Sequence, residues 1–196
     1  MSKGQLTRRF FCLAICILLC IVVYPSQGSE EKAAPKAVST GMKLPQFTLD
    51  APSSEKEQQY LGLKNPKPFS LSEIPANLIV VEIFSVYCPH CRKQAPKLNK
   101  LYKLIQQDTK LSQEIKMIAV AAGADQSKTD KWKENFHIPF PVLADQDTEI
   151  WKKFGQPGVP YTLVVSTCGM VLSDHAGETE DVEEFFRHIK KLNEQK

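Results

Sequence analysis

Cysteine is too scarce here to serve as scaffolding. Six are present in 196 residues, but Cys12, Cys16 and Cys20 lie in an apolar N-terminal stretch at spacings of four. There they read as small apolar residues on one helix face. Cys88, Cys91 and Cys168 remain, too few to staple a disulfide-dense scaffold. A basic patch is missing as well. Lys3, Arg8 and Arg9 supply three of the 25 basic residues, and positions 1–28 hold no acid. Removing those three leaves 22 basic residues against 22 acidic ones. A neutral remainder carries no electrostatic footprint for nucleic acid and no acidic tail. The longest apolar run, Phe10–Tyr24, has 15 residues, short of the about 20 that a spanning helix wants. No internal repeat is present, which excludes a solenoid or a propeller.

What is there begins with an export pattern. Lys3, Arg8 and Arg9 form a charged n-region ahead of the apolar run, and Ser26-Gln27-Gly28 places small residues before a cleavage point at Ser29. Residues 1–28 therefore read as a signal peptide or an N-terminal membrane anchor, with residues 10–24 as the anchoring segment. Thr7-Arg8-Arg9-Phe10-Phe11 also resembles a twin-arginine export signal. Polar residues 29–40 read as a flexible linker. Residues 41–196 are long enough for one domain with a proper core, since 42% of the chain is hydrophobic.

Inside that domain the pattern alternates. Leu44–Leu49 reads as a short strand with a proline at its start, and 50–68 as a surface loop with one packed turn at Tyr60-Leu61-Gly62-Leu63. Leu78–Ser85 and Ile115–Ala122 read as buried strands. Residues 92–107 read as a helix kinked at Pro96. Shorter helices are expected at 128–136 and 148–154. Two strands, 161–166 and 170–175, join at Thr167-Cys168-Gly169. A closing helix over 179–193 carries Val182, Phe185, Phe186, Ile189 and Leu192 at helical spacing. Strand–helix–strand followed by a hairpin and a helix predicts an α/β fold with a central mixed β-sheet flanked by helices.

The chemistry-bearing motif is Cys88-Pro89-His90-Cys91, which directly follows the first buried strand. A strand that runs into C-x-x-C at a helix start is the layout of a thiol–disulfide redox centre. Unpaired N–H groups and the helix dipole favour the first thiolate. The second thiol lies one turn on, within reach of a disulfide. A purely structural bridge over so short a loop would constrain little. Glu82 is the other sharp signal, because a carboxylate in an apolar run is costly unless it is paired or protonated.

These residues resemble the thioredoxin superfamily over 41–192. Glu82 stands six residues before Cys88, Pro96 five after Cys91, and Val159-Pro160 before the hairpin, where the family has a buried acid, a helix proline and a cis-proline. The active-site stretch is similar to DsbA-type oxidases. The body resembles TlpA/ResA-type redoxins, through Gly41, Pro45-Gln46-Phe47-Thr48-Leu49, Phe140-Pro141-Val142-Leu143-Ala144-Asp145 and Gly158-Val159-Pro160-Tyr161-Thr162. The interval 123–158 is too short for the helical insertion of DsbA proteins, so the chain reads as a TlpA/ResA-like redoxin with a DsbA-like dipeptide.

The resemblance implies a thioredoxin-like fold and an extracytoplasmic thiol–disulfide oxidoreductase. Its catalytic residues would be Cys88 as nucleophile, Cys91 as resolving thiol and Glu82 as proton exchanger. Pro89 and His90 would tune the redox poise, and Val159 and Pro160 would hold substrate by backbone pairing. The redox-active Cys88–Cys91 disulfide would need no metal or organic cofactor. Expected partners are cysteine-containing exported proteins and a membrane or periplasmic redox partner, with the direction of flow set by their potentials. Two other classes compete. A thiol peroxidase is suggested by Ser85, three residues before Cys88. A Sco-like copper carrier would use Cys88, Cys91 and His175. Covalent haem is disfavoured, because Arg92 follows Cys91 where a histidine would be needed.

Overall fold

Leu78–Phe84 forms β1, and all seven of its side chains are buried. Only a central strand covered on both faces allows this. The computed structural model describes residues 36–64 and 67–195, so the leader reading of 1–28 lies outside the described residues. In chain order the described elements begin with helix α1 (Glu55–Leu61), a 3₁₀ turn at Leu71–Glu73 and β1. Helices α2 (Pro89–Gln106) and α3 (Thr109–Glu114) lead to β2 (Ile115–Ala122). Then come α4 (Gln126–Asn135), β3 (Val142–Asp145), α5 (Glu149–Lys153), β4 (Tyr161–Ser166), β5 (Val171–Ala176) and α6 (Val182–Glu194).

The five strands form one mixed sheet in the order β3-β2-β1-β4-β5. β1 runs parallel to β2 and antiparallel to β4. Alternation along β1 sorts its side chains into two layers. Leu78, Val80 and Phe84 pack with Leu98, Leu101 and Ile105 of α2, Trp132 of α4 and Ile189 of α6. Ile79, Val81 and Ile83 pack on the other face with Leu61 of α1, Ile150 of α5 and Phe154. Each such side chain contributes about 1.5–3 kcal/mol on burial. The mixed sheet flanked by helices is as expected, and α4, β3 and α5 fill the interval that was too short for a helical insertion.

Several local expectations change. Leu44–Leu49 makes no strand. Leu44 bonds the carbonyl of Gly169, while Leu49 exchanges both backbone bonds with Phe69. The segment thus touches two separate places, and Pro45 brings no N–H to a ladder. Part of the expected loop 50–68 is α1, closed by Gly62 in the left-handed region. α2 starts at Pro89, three residues before the expected Arg92, and continues past an exposed Pro96 to Gln106. The packed fold also starts inside the stretch read as a linker. Val38 is buried, its N–H bonds the carbonyl of Phe154, and its carbonyl accepts from the Tyr161 hydroxyl.

That early start rests on a close backbone approach at Gly155, whose φ is +79°. A Cβ there would collide with the carbonyl of Lys36 and the backbone of Ala37. Gly155→Ala should therefore lower stability in urea unfolding by about 1–3 kcal/mol. Gly158→Ala, whose Cβ would meet nothing within 4 Å, should stay within about 0.5 kcal/mol of the parent.

Candidate active site

Cys88 is the N-cap of α2 and has extended backbone angles, φ −81° and ψ 122°. Its Sγ accepts the Cys91 amide at 3.3 Å. Pro89 occupies the first helical position, where a missing N–H costs nothing. An amide aimed at sulfur from a helix start stabilises negative charge there. Cys88 is half-buried and Cys91 is buried. The Cys88 thiol donates to the carbonyl of Val159 at 3.5 Å. The Val159–Pro160 peptide is cis, and it lies just beyond the Ile83–Tyr161 pair that ends the β1–β4 ladder. The structure therefore brings Cys88, Cys91, Val159 and Pro160 together.

Glu82 lies beneath them on the α2 face of β1, opposite Thr162 of β4. It is 3% exposed. Oε2 accepts from the Thr162 hydroxyl at 2.6 Å, and Oε1 has no protein partner among the described residues. Burial pushes its carboxyl up to about 8 against the opposing pull of the Thr162 hydrogen bond. β1 is the central strand of the sheet, so Glu82 has a neighbouring strand on each side. Cys91 shares a cavity of about 10 Å³ with Glu82, close to the smallest space that holds one water. Burial raises the Cys91 thiol well above its ordinary range. The hydrogen bond with Cys88 adds to this, and the Glu82 charge adds a lesser part.

His90 is exposed, and its Nδ1 lies 2.9 Å from Oε1 of Glu178 in the turn between β5 and α6. Lys97 reaches the other carboxylate oxygen at 3.2 Å, and Lys93 lies 3.9 Å away. The His90 bond, with Lys97 and Lys93 adding, holds the Glu178 carboxyl below the usual carboxylate range. One residue on, Thr179 and Gln94 exchange two hydrogen bonds at 2.9 Å, both buried. Gln94 is one turn after His90, so this turn clamps the start of α2. Neither Glu178 nor the Gln94–Thr179 pair carried any local sequence signal.

The side chains of His175, Ser85 and Cys168 make other bonds. His175 pairs with Thr162 on the sheet, and its Nε2 sits 3.0 Å from the carbonyl of Glu178. Among the described residues no three His, Cys, Asp or Glu side chains form a group that could hold a metal. The Cys88–Cys91–His175 copper reading thus lacks its geometry. The Ser85 hydroxyl accepts the Tyr87 amide at 3.4 Å. Cys168 lies at the opposite end of the sheet, beyond the Leu78–Ser166 pair, with Sγ 3.0 Å from the Ser166 hydroxyl.

Glu82 makes stability depend on pH in an unusual direction. Its folded-state carboxyl titrates near 8, above the ordinary unfolded value of about 4.3. Between these values the folded chain holds a proton that the unfolded chain has lost, so stability falls as pH rises. The slope from this group approaches about 1.4 kcal/mol per pH unit. Glu82→Gln should flatten urea-unfolding stability between pH 5 and 8 and be the more stable form at the upper end. A parent slope unchanged by the substitution would contradict the assignment.

The geometry can now be set beside known proteins. The thiol–disulfide oxidoreductase ResA of Geobacillus thermodenitrificans is 22% identical over 194 residues, 97% of this chain and 99% of that one. The thiol:disulfide interchange protein DsbE of Yersinia pestis is 23% identical over 188 residues, 91% and 89% of the two chains. The thioredoxin domain of a thiol-disulfide oxidoreductase from Bacteroides vulgatus superposes with a TM-score of 0.60 at 16% identity, over 80% of this chain and 99% of that one. The fold is therefore thioredoxin-like. The Redoxin profile matches residues 39–189, from the first packed residues through the cysteine pair and the cis-proline to α6, and the chain belongs to the Redoxin family.

Proposed function

We propose that this chain is an extracytoplasmic protein thiol–disulfide oxidoreductase of the ResA/DsbE kind, working through Cys88 and Cys91. The observation that carries this reading is the setting of Cys88. Its sulfur caps α2, receives the Cys91 amide and faces the Val159 carbonyl before a cis-proline. The charged n-region and apolar run at the N-terminus support export.

In the reducing direction the Cys88 thiolate attacks one sulfur of a substrate disulfide. A Cys88–substrate disulfide forms, and the other substrate sulfur leaves as a thiolate and takes a proton. Cys91 then loses its proton and attacks the Cys88 sulfur. The second substrate thiolate departs, and the protein is left with a Cys88–Cys91 disulfide. Oxidation of a substrate dithiol is the same path run backwards. The second step needs a base, because the Cys91 thiol is buried and held protonated. Glu82 fits that role. Its carboxyl titrates near neutral pH, where a group can both take and give a proton, and it shares the small cavity with Cys91. Val159 offers backbone groups for an extended substrate strand. Substrates are cysteine-containing exported proteins, and a membrane or periplasmic redox partner resets the pair.

The Cys91→Ser chain should accumulate mixed disulfides with exported proteins through Cys88, released by dithiothreitol and absent from the Cys88→Ser chain. Failure to trap any protein in the native compartment would sink the reading. Glu82→Gln should slow resolution of the mixed disulfide about 10²–10⁴-fold, the usual contribution of a positioned proton-transfer group, while first attack by Cys88 stays near the parent rate.

A further inference from the structure

The two flanks of Cys88 differ in charge. On the α6 side, Lys93 and Lys97 are spent on Glu178. On the α4 side, an open groove of about 430 Å³ runs beside the redox pair, lined by Val86, Tyr87, Arg92, Lys128, Lys131 and Trp132 among others. Tyr87, the residue before Cys88, is 67% exposed. Lys128 pairs with Asp125 at 2.9 Å, and Asp125 also feels the charge of Lys131. Among the described residues Arg92 and Lys131 have no ion-pair partner within 4 Å. Three cations against one rim carboxylate leave this groove positive on a domain that is neutral overall.

We propose that this groove docks the polypeptide segment flanking the reactive cysteine of a substrate, and that it selects segments carrying Asp or Glu. The proposal rests on the thiol–disulfide exchange reading. Tyr87, with the half-buried Phe136 of the same groove, supplies the aromatic contact area that peptide binding surfaces use. Arg92 and Lys131 supply electrostatic selection, which acts mainly on the encounter rate. The groove begins at the residue next to Cys88, so a bound segment presents its sulfur to the nucleophile.

The test uses the reduced full chain and three peptides. Each carries one cysteine as a 2-thiopyridyl disulfide, flanked by aspartates, serines or lysines. Attack by the Cys88 thiolate on the peptide sulfur breaks the S–S bond to the pyridyl group and releases neutral 2-thiopyridone, which is read by absorbance. Cys91 then displaces the peptide thiolate. At low salt the aspartate peptide should react about tenfold faster than the lysine peptide. The gap should collapse near 1 M salt, where the screening length is about 3 Å. Lys131→Glu, on an exposed turn of α4, should erase or reverse the order, with the rate on the neutral disulfide of 2-mercaptoethanol unchanged. Equal rates for the three peptides on the parent, or a salt-insensitive order, would overturn the groove proposal while leaving exchange chemistry intact. Release that is no faster than with Cys88→Ser for all three peptides would overturn the exchange reading itself.

Discussion

The pairing of Glu82 with Thr162 across β1 and β4 is the contact on which the site depends. It fixes the register of two antiparallel strands at the point where their ends become functional. With Glu82 opposite Thr162, Ile83 meets Tyr161, and the next residues on each chain are Phe84 and Pro160. The cis-proline segment therefore arrives beside the turn that carries Cys88. A slip of one residue would move every β1 side chain to the other face. Glu82 would leave the α2 layer for the layer holding Leu61 and Ile150, and the Val159 carbonyl would lose its place beside Cys88 Sγ.

Keeping a carboxyl there opposes folding. One oxygen bonds Thr162 and the other has no protein partner among the described residues, and an unsatisfied buried polar atom costs about 1–3 kcal/mol. The surrounding layers offset this with well-packed apolar contacts. Trp132 stacks at 4.9 Å from Phe84 and 4.3 Å from Phe136. The same burial that costs stability brings the carboxyl near neutral titration, next to the thiol that would lose a proton in the proposed exchange. A leucine at this position would remove the unpaired oxygen and leave the Thr162 hydroxyl without its acceptor, and it could not carry a proton in the proposed exchange.

What was legible in the sequence follows from how local each signal is. β1, β2, β4 and α6 show as apolar runs or helical spacing within a dozen residues. The C-x-x-C pair, Glu82 and Val159-Pro160 show as motifs. The rest is written in pairings between distant residues. Thr162 looks like any strand threonine until β4 is laid on β1. Glu178 follows a glycine in a turn and gains meaning only when α2 brings His90 to it across 88 positions. Gln94 looks like a surface glutamine on a polar helix stretch, yet it is buried against Thr179. Leu44–Leu49 has strand alternation but divides its bonds between Gly169 and Phe69, and α1 was hidden because its seven residues are mostly polar.

The Pro89-His90 dipeptide has to be judged within that three-dimensional setting. Read alone, a histidine beside the nucleophile stabilises the reduced thiolate and makes the disulfide a stronger oxidant. In the fold, the recorded partner of the His90 ring is a carboxylate that also gathers Lys93 and Lys97. That carboxylate draws His90 toward α6 and adds a negative charge near the pair, which opposes thiolate stabilisation. Arg92, which bonds the Cys88 carbonyl through its amide and has no ion-pair partner within 4 Å among the described residues, acts in the other sense from the α4 side. The field at Cys88 is thus a balance between two flanks and the end of α2. A dipeptide shared with strongly oxidising proteins therefore does not by itself make this pair as oxidising as theirs.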